Sequence, residues 1–319
     1  MAVDGDGEKV FPTDNTVYNY NNIDLPVKNA CKVSVVIPTY NRADILNRVL
    51  YSLFRQNDSN YEVLVSNDDS PSRKHETDKV CNHFLSKSMP IKSFYTGQYK
   101  RGVGWSVETY PYNVGIRNAS GDIIILNSGD VMSVTNTINQ HRNLQLEADQ
   151  VYISTVHALT FETQSKIDSL PWRDNPNSLL YKGSCVGMYT GYGKSYSENY
   201  DIEDAGSPYH FQMSVRKSHL HYLRGFDEDF YGAMPCGDDD IASRLRRLGL
   251  KFVFSQDILA IHQHHKTLDE GSAKVNPTTD SGYSLCKDRA NKSVIRNINH
   301  EWGQYPRDMR SLPSNSGVS

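Results

Sequence analysis

From Val33 onward, short β-branched runs and helically spaced apolar residues take turns along the chain, and few architectures satisfy both patterns at once. Val33, Val35, Val36 and Ile37 form a run closed by Pro38, which predicts a buried strand. Ile45, Leu46, Val49, Leu50, Leu53 and Phe54 then recur at helical spacing, with Asn41 or Asp44 available to cap the helix. Tyr61, Val63 and Val65 alternate as a second strand that ends in Asn67-Asp68-Asp69-Ser70-Pro71, and Val80, Cys81, Phe84 and Leu85 predict a second helix. Ile91 to Tyr95 reads as a third strand, and Ile123 to Leu126, entered through Gly121-Asp122, as a fourth. Such alternation predicts an α/β chain with a mostly parallel central sheet and helices on both faces, because right-handed crossovers lay each helix over the sheet. Ligands collect at the carboxyl ends of strands in sheets of this kind. Three polar clusters fall there: Thr39-Tyr40-Asn41-Arg42, Asn67-Asp68-Asp69 and Asn127-Ser128-Gly129-Asp130.

The rest of the chain is less regular. Residues 1–31 carry many Asn and Asp and read as a polar N-terminal arm; their Asp-Gly-Asp-Gly lacks the ligand spacing of a calcium loop. A helix is expected over Thr109 to Ala119, another from Asp130 to Ala148, and a strand over Val151 to Val156, with ordered structure returning at Phe211 to Val215. Residues 163–207, rich in Tyr, Gly, Ser and Asn, form a long insert within a domain of residues 32–270, and loops of that length are usually functional. Residues 271–319 are expected to be a C-terminal extension with a disordered end.

Composition removes several function classes. Lys plus Arg is 34 against 37 for Asp plus Glu, a net charge of −3, so no bulk positive field exists for nucleic acid. No apolar run approaches the ~20 residues of a membrane span, and Met1 to Val10 is unlike a signal peptide, so the expected location is cytoplasmic and no transmembrane segment is expected. Five scattered cysteines without a C-x-x-C pair give neither a zinc knuckle nor a disulfide framework. Asn57, Asn118 and Asn291 match the glycosylation triplet but lack a secretory context. Gly102-Val103-Gly104 starts like a dinucleotide-binding loop, yet position 107 is Val and no Walker sequence occurs.

Acidic clusters and late histidines remain as carriers of chemistry. Asp68 and Asp130 end different strands of one inferred sheet. They can hold a ribose or a hard cation, or serve only as turn formers. Asp238, Asp239 and Asp240 precede Ile241, Leu245 and Leu248, so they occupy a helix's first turn, with Gly249 as its stop. Acids there are favoured by the helix dipole, but two like charges at about 4 Å repel by roughly 4 kcal/mol at an effective dielectric of 20. The cluster should therefore meet a cation, an Arg or a hydroxyl, and a carboxylate that reaches a hydroxyl is a candidate general base. His262, His264 and His265 close an apolar strand, Ile258 to Ile261; alternation would put His262 and His264 on one face, suited to a metal.

In this order the motifs resemble those of the family 2 glycosyltransferases, over about residues 32–265. Val33-Ser34-Val35-Val36-Ile37-Pro38-Thr39-Tyr40-Asn41-Arg42 is similar to their opening strand and loop. Asn67-Asp68-Asp69-Ser70, Asn113 to Asp122, Ile124 to Asp130, Gly225-Phe226-Asp227-Glu228 and Gly237-Asp238-Asp239-Asp240-Ile241 follow in register. The resemblance implies a GT-A fold, Rossmann-like in its central sheet, and an inverting transferase that uses a nucleotide diphosphate sugar, most simply a UDP-sugar. It implies donor binding by Pro38, Tyr40, Asp68, Asn127 and Asp130, with Mn2+ or Mg2+ held by Asp130, His262 and His264, His265 being a further substitute ligand. Arg101, beside Lys100 in the loop before the Asn113 helix, either neutralises phosphate charge or is solvated. Asn127 and Gly129 stand where aspartates are usual in the D-x-D motif, so only Asp130 keeps its carboxylate. Asp238 takes the catalytic base position, although Gly237 replaces the usual Glu before it. Asp239, Trp172 and Tyr189 are the acceptor-side candidates, with Trp105, Tyr181 and Tyr192 as further rings able to stack on sugars. A glycan, lipid-linked glycan or protein is the implied acceptor. The rival readings are a non-catalytic sugar- or nucleotide-binding protein with a degenerate metal site, and a nucleotidyltransferase, whose Gly-rich, Arg-containing first loop is missing.

Overall fold

A computed structural model describes residues 31–97, 109–180, 212–230, 237–265, 288–289, 292–299 and 301–304, with the backbone of short strands at Ala2–Val3, Lys9–Val10 and Cys185–Met188. In chain order the main elements are β1 (Val33–Thr39), α1 (Ala43–Phe54), β2 (Tyr61–Asn67), α2 (Lys74–Ser86), β3 (Ile91–Tyr95), α3 (Thr109–Asn118), β4 (Ile123–Asn127) and β5 (Val131–Ser133). They continue with α4 (Thr137–Glu147), β6 (Val151–Leu159), α5 (Phe161–Ser165), β7 (Cys185–Met188), β8 (Gln212–Arg216), α6 (Lys217–Leu223), α7 (Gly237–Arg247) and β9 (Phe252–His262). Ala2–Val3 and Lys9–Val10 pair with each other as a separate antiparallel ribbon.

Among the described residues one nine-stranded sheet runs β3-β2-β1-β4-β8-β6-β9-β5, with β7 on β6. β3, β2, β1 and β4 are parallel, as the alternating pattern predicts. β8 runs antiparallel to β4 and β6, and β5 antiparallel to β9, so the sheet is mixed. The three-residue β5 interrupts the helix expected from Asp130 onward, which starts only at Thr137.

Strand alternation sorts the core into two layers. Val33, Val35, Ile37, Val63, Val65, Ile123 and Ile125 pack with Leu46, Leu50 and Leu53 of α1 and Phe84 of α2. Val36, Leu64, Ile124 and Leu126 point the other way, onto Tyr112 and Ile116 of α3, with Leu220 of α6 and Ile241 and Leu245 of α7 in the same layer. Helices therefore cover both faces. α3 lies close because Gly115 has no Cβ; one would come 2.2 Å from Val36 Cγ1. Val294 and Trp302, from the expected C-terminal extension, belong to this second layer. The start of the long insert is also packed, since Ile167, Trp172 and Leu179 are in the first layer.

At the amino edge of the sheet, Glu62 joins three segments. It accepts hydrogen bonds from Ser120 N (2.6 Å), Ser120 Oγ (2.7 Å), Ser34 Oγ (2.8 Å) and Lys92 Nζ (3.1 Å). Burial alone would raise this carboxyl, but the donors outweigh it and hold it at about 2. A group depressed in the folded state stabilises above its unfolded value and loses that contribution as pH falls through the folded one. Glu62→Gln is therefore expected to cost about 2 kcal/mol at pH 7. That margin over the variant is full above the ordinary carboxyl value of 4.5 and closes as the pH falls to about 2. Denaturant unfolding of both proteins at pH 7 and near pH 2.5 measures it, and a margin independent of pH would remove the ionised carboxylate from the account.

Candidate active site

The carboxyl ends of β1, β2 and β4 meet at one rim. Asp68 N donates to Thr39 O (2.9 Å), and Thr39 pairs with Asn67 across β1 and β2. Gly129 lies so close to β1 that a Cβ there would be 2.4 Å from Pro38 O. The usual aspartate of the D-x-D motif has no room at this position. Pro38 is buried within β1 and meets this turn through its carbonyl.

The first loop is tied down by its own side chains. Asn41 takes a left-handed backbone, φ 52°, a conformation that Asn tolerates. Its N–H donates to Asp69 Oδ1, and its Oδ1 accepts from Ser70 N (3.0 Å) and Ser70 Oγ (3.1 Å). Neither expected residue caps α1: Arg42 is at the cap without a side-chain bond, and Asp44 lies inside the first turn. Asp68 is 1% exposed and accepts from Thr96 Oγ1 at 2.5 Å. Half-buried Tyr40 stands close enough that burial, then the charges of Asp68 and Asp69, raise its phenol.

Asp130 is the centre of the strongest cluster. Its Oδ1 accepts from Ser128 Oγ (2.7 Å), and its Oδ2 lies 2.9 Å from His265 Nε2, 3.6 Å from His262 Nε2 and 3.3 Å from Arg42 Nη1. Among the described residues, Asp130, His262 and His265 form a group whose ligand atoms all lie within 4.8 Å of one another. Burial opposes ionisation of Asp130, but His262, His265 and Arg42 outweigh it and drive the carboxyl far below its usual range. Burial lowers His262 despite the neighbouring Asp130, which favours the uncharged imidazole. A divalent cation requires an ionised carboxylate and uncharged imidazole nitrogens, and an O,N,N donor set suits a divalent transition metal. Arg42 shares the same carboxylate oxygen and was not foreseen as a site residue.

His264, expected in this set, is turned away. Its N–H donates to Gln164 Oε1 (3.1 Å) and its ring stands edge-on to the exposed Phe161. The reason is that β9 ends at His262, so strand alternation no longer applies and His265 turns inward instead. Gln263, fully buried, fixes the turn by donating from its N–H to Asp130 O (3.0 Å) and from Nε2 to Ile45 O (3.1 Å).

Two further expectations are corrected. Asn127 does not face a donor: its Nδ2 donates to Ser128 O (2.7 Å) and Val131 O (3.1 Å), and its Oδ1 accepts from Gln212 Nε2 (2.6 Å). Both ends of the amide are used to hold the turn that carries Asp130. Trp172 cannot stack on an acceptor sugar, because it is 1% exposed, packed edge-on against Tyr51 and covered by the Arg173 guanidinium. Arg101 and Tyr189, like Trp105, Tyr181 and Tyr192, lie outside the described residues.

Asp238 lies in the first turn of α7, whose start packs on α3. That helix descends from the carboxyl edge, after β3, to the amino edge, where Asp122 N donates to Lys32 O (3.0 Å) just before β4. Thr109 is consequently at the carboxyl edge, and Gly237 packs on it, with 2.8 Å between a Cβ at Gly237 and Thr109 Cγ2. Asp238 and Asp239 are half-buried in the first turn of α7, while Asp240 turns inward to Arg244 Nε (2.7 Å) and Arg296 Nη2 (3.1 Å).

A mixed, mostly parallel sheet with carboxylates gathered at its carboxyl rim is the architecture of GT-A glycosyltransferases. The fold superposes on S. aureus TarS 1–349, solved in complex with UDP-GlcNAc, with a TM-score of 0.54 and 16% identity over 80% of this chain and 64% of that one. The model of Glycosyl transferase family 2 matches residues 34–179. An uncharacterized glycosyltransferase of Bacillus subtilis, YfnE, is 25% identical over 283 residues, 76% of this chain and 69% of that protein. The GalNAc(5)-diNAcBac-PP-undecaprenol beta-1,3-glucosyltransferase of Campylobacter jejuni is 29% identical over 201 residues, 63% of this chain and 56% of that protein. Residues 34–179, just under half of the chain, match the family 2 glycosyltransferases, and the fold and the named relatives are those of glycosyltransferases. No helix among the described residues is long and apolar enough to cross a membrane.

Proposed function

We propose that the chain is an inverting glycosyltransferase that moves a sugar from a UDP-sugar to a hydroxyl of a glycan, lipid-linked glycan or protein, assisted by Mn2+ or Mg2+. The observation that carries this reading is the Asp130, His262 and His265 cluster at the rim that also holds Asp68 and the start of α7. The UDP-GlcNAc bound to the TarS fragment supports the donor class, and the name of the Campylobacter relative supports a glycan-bearing acceptor.

Tyr40 and Asp68 hold the nucleotide, the ring against the base and the carboxylate on the ribose. Asp130, His262 and His265 would hold a divalent cation, which would supply positive charge to the diphosphate. Asp238 accepts the proton of the acceptor hydroxyl, whose oxygen forms a bond to the anomeric carbon from the side opposite the leaving group. The bond from that carbon to the phosphate oxygen breaks, its electron pair leaves with the nucleoside diphosphate, and the anomeric centre inverts. Arg42, beside Asp130, adds a cation at the same end of the site.

A panel of UDP- and GDP-sugars with Mn2+ and an acceptor mixture tests this reading through nucleoside diphosphate release. Release from a UDP-sugar, increased by acceptor and removed by EDTA, is expected. Binding with release at background throughout would leave a fold that holds nucleotide sugar without turnover, and release only from GDP-sugars would overturn the donor assignment.

A further inference from the structure

Behind the proposed base lies a pair of buried carboxylates that the mechanism does not use. Asp227, 1% exposed, follows α6, and Asp240 is in the first turn of α7, two residues after Asp238. Burial, then the charge of Asp240, raises the Asp227 carboxyl against the pull of Arg289 and Arg244. Arg296 spans the pair, with Nε 3.1 Å from Asp227 Oδ2 and Nη2 3.1 Å from Asp240 Oδ1. Arg289 Nε adds a contact to Asp227 at 3.2 Å, and Arg244 closes the other side of Asp240.

The segment that delivers Arg296 also grips the second helix beside the site. Arg296 N donates to Leu223 O (3.2 Å), and Asn297 Nδ2 donates to Arg224 O and Phe226 O, both at 2.7 Å. Trp302 is buried between the His221 ring and the Arg117 guanidinium. Gly303 N donates to Glu228 Oε1 (2.7 Å), and a Cβ at Gly303 would lie 2.4 Å from Asn113 O, so the strap presses backbone against backbone on α3. Its next residue accepts at Gln304 O from Tyr110 OH (2.9 Å), in the first turn of α3 and beside the Thr109 on which Gly237 packs. Arg296 and Gln304 thus hold the first turn of α7, which carries Asp238, and the first turn of α3, on which it packs.

We infer that Arg296 is a positioning residue for Asp238: by bridging Asp227 and Asp240 it fixes the first turn of α7 and so the direction in which the Asp238 carboxylate meets the acceptor hydroxyl. This rests on the reading of Asp238 as the base. A misplacement of about 1 Å in a reacting group can cost about 10²-fold in rate. Removal of one partner from a buried ion group also leaves an uncompensated charge, so rate and stability must be separated.

The test uses the full chain with Arg296→Met, Arg296→Met combined with Asp227→Asn, and Asp238→Asn, each measured for UDP affinity, thermal midpoint and transfer kcat. Arg296→Met is expected to lose about 10²-fold in kcat with UDP affinity within about three-fold. Asp227→Asn in that background removes the stranded charge and restores the thermal midpoint, while kcat stays low. Recovery of kcat together with the midpoint would make Arg296 purely structural and overturn the inference, as would a kcat within three-fold of the wild type in either Arg296 variant. An active Asp238→Asn would sink the reading of the base instead, so the two failures are distinguishable.

Discussion

Asp238→Asn is expected to bind UDP as the wild type does and to transfer sugar at least about 10³-fold more slowly, within the 10²–10⁴ range attributed to a positioned general base. Asn keeps the shape of the side chain and its hydrogen-bonding reach but cannot take a proton at neutral pH. Everything inferred to hold the donor is supplied by other elements: Asp68 from the end of β2, Asp130 from the end of β4, His262 and His265 from the end of β9. The buried contacts of α7 run through Asp240, Arg244 and Ile241, so the helix should stay in place. Asp239→Asn is the comparison, since it removes a charge from the same turn, at the acceptor-side candidate, without touching the proposed base. Calorimetric UDP titration and initial transfer rates on the three proteins decide the matter. If Asp238→Asn retains a tenth or more of the activity, Asp238 is not the base; if Asp239→Asn alone is inactive, the role belongs one residue later.

What the amino-acid pattern makes legible is whatever depends on near neighbours. The apolar rhythm of Val33 to Ile37, of Ile45 to Phe54 and of Ile91 to Tyr95 maps onto β1, α1 and β3 because each element is specified by its own period. The antiparallel insertion of β8 between β4 and β6 depends on residues about 60–90 positions apart and leaves no local trace. The same applies to side-chain roles. Trp172 lies in a stretch of polar and turn residues, where an aromatic reads as exposed, yet Tyr51, from a helix 121 positions earlier, covers it. Asn127 reads as a donor contact until Gln212, 85 positions on, takes its carbonyl oxygen. Strand alternation pairs His262 with His264, and that count fails because β9 ends at His262, two residues short of His264. Arg42 was visible in the opening motif, but only the folded rim shows it beside Asp130 and His265.

Replacing Asp130 by Ala should weaken UDP-sugar binding about 100-fold in the presence of Mn2+ and abolish the difference between binding with and without metal. Asp130 is the carboxylate of the cluster; without it the charge of the Arg42 guanidinium is no longer offset and repels a divalent cation from the two imidazoles. Neither altered position of the motif can replace it. Asn127 is committed to Gln212 and to the backbone of its own turn, and an aspartate reintroduced at Gly129 would collide with Pro38 O. Gly129→Asp, the substitution that restores the family's usual motif, should accordingly destabilise the rim and fail to rescue Asp130→Ala. Within this variant of the motif the lost carboxylates are offset from the other side of the site, where β9 delivers His262 and the turn after it delivers His265. His265→Ala should therefore mimic Asp130→Ala in Mn2+ titrations followed by paramagnetic resonance, whereas His264→Ala, its side chain turned towards Phe161, should bind Mn2+ as the wild type does. Undiminished Mn2+ binding in both Asp130→Ala and His265→Ala would place the metal elsewhere and leave Asp130 as a counter-ion to Arg42.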